Sequence, residues 1–111
     1  MKIFGYLALT ILMVTFNSSA LGAGADVQGQ TVGYVYQFNS SDSTMFDVHV
    51  PTRTHECGSS LYRSTSTSDA IADRKFALIL AAFTSNKKIS FRETGVCDGN
   101  RMKISWVRIT N

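Results

Sequence analysis

STSDAIADRKFALILAAF, residues 66 to 83, is the stretch of this chain that decides its fold. Past the N-terminal region it is the one segment that reads as a long helix. Ser66, with Asp69 three residues on, resembles a capping box. Asp69 and Asp73 also sit where the positive end of a helix dipole favours them. Ile71, Leu78 and Ile79 then share one side, with Ala72, Phe76, Leu80 and Phe83 nearby and Ala77, Ala81 and Ala82 between them. Every residue from Phe76 to Phe83 is apolar. A surface helix normally keeps a polar back, so a helix apolar nearly all round asks for cover on two sides. One cover is the chain's own sheet. The other is expected to be a second subunit, which predicts a homo-oligomer through the helix 69–85. Asn86 falls where a left-handed C-terminal cap belongs, and Lys87 and Lys88 complement the negative end of the dipole.

On either side of the helix the pattern is that of short strands. Val32, Tyr34, Tyr36 and Phe38 alternate with Gly33, Val35 and Gln37, a period of two with one strongly aromatic face. Asn39 to Ser43 is a turn by composition. Phe46, Val48 and Val50 then alternate with Met45, Asp47 and His49, so an antiparallel hairpin is expected, ended by Pro51. Residues 52–59 form a polar loop, and Ser60 to Arg63 a short third strand. After the helix, Ile89 and Phe91 point in while Ser90 and Arg92 point out. Asp98-Gly99 signals a turn. In the last strand Met102, Ile104 and Trp106 share a face but Val107 and Ile109 fall on the other, which predicts a bulge near Trp106. Residues 24–31 read as a polar lead-in. Arg74-Lys75 and Lys87-Lys88 read as solvated helix ends. The sum is one α+β unit, mainly β: a small antiparallel barrel of about five strands with one helix between strands 3 and 4.

The first residues are set apart. Lys2 precedes an uncharged apolar run, Ile3 to Phe16, followed by small residues at Ser18-Ser19-Ala20 and Ala23-Gly24-Ala25. This is the layout of a secretory signal peptide, expected over residues 1–25 with cleavage between 20 and 25 and a single secreted domain over 26–111. The run is short of the roughly 20 apolar residues a spanning helix needs, so no membrane span is expected after signal removal. A domain this small leans on staples. The chain's two cysteines, Cys57 and Cys97, allow one intramolecular pairing, and a disulfide between them is expected in an oxidising, secreted or periplasmic location. Removing Lys2 leaves ten basic against eight acidic residues, a net charge of +2 without a dense basic stripe, so no nucleic-acid partner is expected.

Catalytic signatures are missing from the sequence. His49 and His55, the only histidines, do not supply the three or four spaced ligands of a zinc site, and Cys57 is committed to the disulfide. Serines sit at turns and caps, the carboxylates are scattered, and there is no glycine-rich phosphate loop. No enzyme, metal or cofactor is expected. What remains is binding. Tyr34, Tyr36, Phe38, Phe91 and Trp106 are candidates for stacking on sugars or for the core. The hairpin loop offers Asn39, Ser41, Asp42 and Thr44 as hydrogen-bonding ligand contacts.

The order Gly33-Tyr34-Val35-Tyr36, Asp42 to Val50, apolar helix, Ile89 to Cys97 and closing strand resembles the B subunits of bacterial AB toxins, Shiga-type and cholera-type, over residues 32 to 109. The resemblance implies an OB-fold barrel with one disulfide, ring assembly around the helices and binding of cell-surface glycans. In those families the first cysteine lies near the mature N-terminus, whereas here it is Cys57, and their acidic hairpin turn is represented by Asp42 with Ser43 and Thr44. The expected function is therefore that of a secreted non-enzymatic binding protein, a glycan-binding, ring-forming subunit like toxin B subunits. The alternative is a periplasmic enzyme inhibitor or accessory protein docking on a protein partner through the disulfide-pinned loop 52–60.

Overall fold

The computed structural model describes residues 24–37 and 42–110. The stretch up to residue 23, where the signal peptide is expected, and residues 38–41, with Phe38, Asn39 and Ser41, lie outside the described residues. The described chain is mainly β with one helix: β1 (Ala25–Gln30), β2 (Tyr34–Tyr36), β3 (Met45–His49), β4 (Leu61–Thr65), α1 (Asp69–Thr84), β5 (Lys88–Asp98) and β6 (Arg101–Thr110). The six strands form one sheet in the order β1-β5-β6-β4-β3-β2.

Three details differ from the sequence expectation. There are six strands rather than five, because the polar lead-in is itself a strand: β1 pairs antiparallel with β5 through Ala25↔Glu93, Asp26↔Arg92 and Val27↔Phe91. Only Val27 of β1 is buried, so its hydrophobic signal is one residue deep and its strand character comes from its partner. The helix consequently lies between β4 and β5. The sheet is mixed rather than antiparallel, since β4 and β6 run parallel with Tyr62↔Met102, Arg63↔Lys103 and Ser64↔Ile104 in register; a helical crossover between β4 and the β5–β6 hairpin returns β6 in the direction of β4. No ladder joins β1 to β2, so the sheet is not closed by hydrogen bonds. Those two end strands are nevertheless consecutive, separated by Thr31-Val32-Gly33. Val32 is buried in the core, and Gly33 N donates to His49 O at 2.7 Å.

The core is drawn from every layer: Phe46, Val48, Tyr62, Ile89, Phe91 and Met102 are fully or almost fully buried. Onto it α1 packs Ala72, Ile79 and Ala82, with Phe76 edge-on to Phe46 at 5.1 Å between centroids. The strand phases follow the sequence. Val107 packs against the core. Phe91↔Val107 is followed by Glu93↔Ile104, so β6 carries an extra residue at Ser105-Trp106, and the bulge expected near Trp106 is there. The turn after Asp98 is Gly99-Asn100, closed by Asp98↔Arg101, with Gly99 at φ 63°, as a glycine in the first central position of a tight hairpin requires.

At the helix start the cap is Ser68, not Ser66: its side chain accepts from Ile71 N. Ser66 instead has its Oγ buried with no hydrogen-bond partner among the described residues. At the other end Asn86 takes φ 59°, Lys87 N donates to Ala82 O and Asn86 N to Phe83 O, the two bonds of a Schellman cap. Lys75 is not a solvated end. Its Nζ donates to Thr65 O at 3.1 Å and to Ser105 O at 2.5 Å. These two carbonyls lie just past the last β4–β6 pair, Ser64↔Ile104, and Lys75 satisfies both; burial pushes its amine pKa down.

Candidate functional site

The side chains with most chemistry lie on the outer face of β2, β3, β4 and β6. Inward phase takes Phe46 and Val48 of β3, which leaves Met45, Asp47 and His49 outside. Cross-strand register then sets Tyr36 beside Asp47, Asp47 beside Arg63, and Arg63 beside Lys103. Tyr34 pairs with His49 in the neighbouring row.

Asp47 is on the outer face and yet wholly shielded from water. Its cover is charge. Arg63 holds it with two bonds, Nε to Oδ1 at 2.8 Å and Nη2 to Oδ2 at 3.0 Å. Arg101 Nε donates to Oδ2 at 2.7 Å, and the Tyr36 hydroxyl donates to the same oxygen at 3.1 Å. Burial pushes the Asp47 carboxyl up, but the bonds from Arg63 and Arg101 outweigh it and hold the pKa below the usual carboxylate range. The network extends to the β5–β6 turn: Arg63 Nη1 donates to Asp98 Oδ2 at 2.7 Å, Arg101 Nη1 to Asn100 Oδ1 at 2.7 Å, and Arg101 Nη2 to Tyr36 Oη at 3.3 Å. Bidentate guanidinium–carboxylate pairing fixes orientation as well as energy, so these donors are pre-set on the surface.

Beside this network stands an aromatic step. Tyr34 is 45% exposed and stacks on His49, centroids 4.6 Å apart and planes 18° from parallel. Tyr36 is 5.9 Å from Tyr34. Gly33 makes the step possible: a Cβ there would come within 2.6 Å of His49 Nδ1 and 2.9 Å of Pro51 Cδ. Both tyrosines therefore belong to the outer face. Phe91 is core, fully buried, and Trp106 is half-buried with the Arg108 guanidinium 5.5 Å from its ring.

Of the loop contacts expected from sequence, Asp42 and Thr44 are described, and both are occupied by the turn itself. Asp42 Oδ1 accepts from Thr44 N at 3.0 Å and from Thr44 Oγ1 at 2.5 Å, which lowers the Asp42 pKa. Ser43 Oγ donates to Asp69 Oδ1 at 2.6 Å and ties the loop to the start of α1. The structure thus moves attention from the loop tip to the strand face behind it. Asp47, Arg63 and Arg101 were missed because no two are close in sequence. The available signal was polar residues at outward phase in adjoining strands, which requires the pairing to read.

A second polar cluster closes the core under residues 51–60. Glu93 accepts from Arg53 Nε at 3.0 Å, from Arg53 Nη2 at 3.3 Å and from the buried Tyr62 hydroxyl at 2.7 Å. Burial pushes Glu93 up, and the Arg53 and Tyr62 bonds more than offset it, leaving a net lowering. Tyr62 goes up, from burial first and its bond to Glu93 second. His55 lies edge-on to Tyr62 at 4.7 Å, with Nε2 2.6 Å from Leu61 O and Nδ1 accepting from Cys57 N. The Cys57–Cys97 disulfide, Cα atoms 5.7 Å apart, pins the same loop to β5. Among the described residues no group of three or more His, Cys, Asp or Glu could hold a metal ion, and no helix is long and apolar enough to cross a membrane.

A family model described as "Family of unknown function (DUF5992)" matches residues 6–106. No curated protein matches the chain.

Proposed function

We propose, for a chain that belongs to the family of unknown function DUF5992, that it is a secreted, non-enzymatic binding protein of OB-like architecture whose ligand is a glycan. The observation that carries this is the Tyr34–His49 step next to the pre-set Asp47–Arg63–Arg101 network. Sugar rings present apolar faces with hydroxyls at the rim, and a half-exposed aromatic beside rigid donors and acceptors suits both. Topology supports the same reading. Taken together, β1 and β2 form one strand bent at Gly33 that pairs with β5 at one end and β3 at the other. We read this as a five-strand OB-like arrangement left open between β1 and β2, in which the face of its second and third strands, β3 and β4, is flanked by residues 42–44 and the β5–β6 turn. In OB folds that face and those two loops bind oligosaccharides and oligonucleotides.

The resemblance to toxin B subunits adds ring assembly through α1. Ala77, Leu80, Ala81 and Phe83 of α1 are exposed, and Leu80 and Phe83 are 42% and 45% open. A second copy of this chain is the proposed cover. Secretion rests on the apolar N-terminal run and accords with the disulfide. The test is a glycan array with the purified mature protein, followed by calorimetry on the hits and on Tyr34→Ala. Binding that drops at least tenfold in a folded Tyr34→Ala supports the reading; an empty array, or hits indifferent to the substitution, removes it.

A second reading keeps the 52–60 loop as the contact. The disulfide, Arg53–Glu93 and His55 brace it from three sides, while Thr52, Thr54, Glu56 and Gly58 stay exposed. A rigid exposed loop is what an enzyme inhibitor docks with. Recovery of one stoichiometric enzyme from periplasm, lost on Glu56→Arg, would favour it.

A further inference from the structure

Around Asp47, among the described residues, every charge on the outer face but one has its counter-charge. Arg63 pairs with Asp47 and Asp98, and Arg101 pairs with Asp47. Lys103 stands in register beside Arg63, half-buried, on the same face as Arg63 because Met102 and Ile104 point inward. Its ammonium makes no ion pair or hydrogen bond with another described residue. Arg101 uses three of its N–H groups on Asp47, Asn100 and Tyr36, keeps donors to spare, and leaves 28% of its side chain open. The row is therefore one anion short. The aromatic step leads to the same cations: from Tyr34 to Tyr36 is 5.9 Å, and the Tyr36 hydroxyl touches Arg101.

We infer that the ligand of this face is an acidic saccharide, whose ring lies on Tyr34 and whose carboxylate or sulfate is received by Lys103 and Arg101. The inference rests on the glycan reading and adds the ligand's charge to it. Asp47 is a positioning residue here: wholly buried, it aims the Arg101 guanidinium without touching the ligand. A neutral glycan would leave Lys103 without a counter-charge, whereas an anion completes the pattern at once. Asp98 also lies toward this side, drawn onto Arg63.

The experiment is an array carrying neutral, sialylated, uronate-bearing and sulfated glycans, probed with the wild type, Lys103→Ala, Lys103→Arg and Tyr34→Ala, each checked for fold by circular dichroism. The expected result is hits concentrated among acidic glycans and a loss of about tenfold in affinity for Lys103→Ala. Lys103→Arg should recover binding, and raising NaCl from about 0.15 M to about 0.5 M should weaken it. Sialylated and sulfated arms tell carboxylate from sulfate; either supports the inference. Hits that are neutral, sensitive to Tyr34→Ala and indifferent to Lys103→Ala overturn the charge assignment while leaving the glycan reading intact. An array silent for all four proteins, or capture of a single-stranded oligonucleotide in place of any glycan, overturns both.

Discussion

Asp47 shows how one residue can be legible in phase and illegible in role. Its outward position follows from the alternation of Phe46, Val48 and Val50, and an outward Asp on a strand is ordinarily solvated. Register with Arg63, and the arrival of Arg101 from β6, turn it into a fully buried charge. Replacing Asp47 by Ala strands two guanidiniums. Breaking a buried pair typically costs about 3–5 kcal/mol, and the water still reaching Arg63 and Arg101 places this case near 3. Urea denaturation should read that loss as a lower midpoint at unchanged slope. The pH dependence has a definite sign. Asp47 and Glu93 both have folded pKa values below their ordinary ones, so in acid the unfolded chain binds more protons. Their contribution is complete above roughly pH 4 and is lost as pH falls through the lower folded values. The melting temperature should therefore hold flat from neutrality down to about pH 5 and decline below about 4, and Asp47→Ala should flatten part of that decline.

Helix α1 was nearly whole in the sequence. Its span, its Asn86 cap and its apolar run are all local, and each element responds to spacing the chain itself carries. The start moved because two serines two residues apart, Ser66 and Ser68, both precede Asp69, and only backbone geometry decides which one caps. Ser68→Ala should cost about 1 kcal/mol, while Ser66→Ala, which removes a buried hydroxyl without a partner among the described residues, should be neutral or slightly stabilising; thermal melts of the two variants separate them. The structure also sorts the alanines: Ala82 is buried, Ala77 and Ala81 are exposed. Ala81→Glu should leave the fold intact and, if a second copy covers this face, shift native mass spectra from oligomer to monomer. Ala82→Glu buries a charge in the core and should unfold the chain. A wild type that is monomeric at high micromolar concentration would remove the oligomer proposal. Strand β1 is the opposite case: with Val27 its one buried residue, nothing local marks it, and β5 supplies both its ladder and its reason.

At the scale of the molecule, the disulfide closes a loop of 40 residues that contains β4, α1 and most of β5. Chain-entropy arguments give such a link about 4 kcal/mol, so reduction should lower the melting temperature by about 20 °C, measured by calorimetry with and without a thiol reductant. The pairing was legible because two cysteines leave one choice. The parallel β4–β6 contact was not, because it depends on where a helical crossover delivers its last strand and no pattern within either strand records that. The same topology sets an order of events. The sheet's first strand binds across from Phe91, Arg92 and Glu93, residues that leave the ribosome long after it does. Pairing so distant in sequence is slow and comes late. The leading end of a growing chain thus has nothing to join until nearly all the rest has emerged, and the domain is kept from sealing while it is still being made.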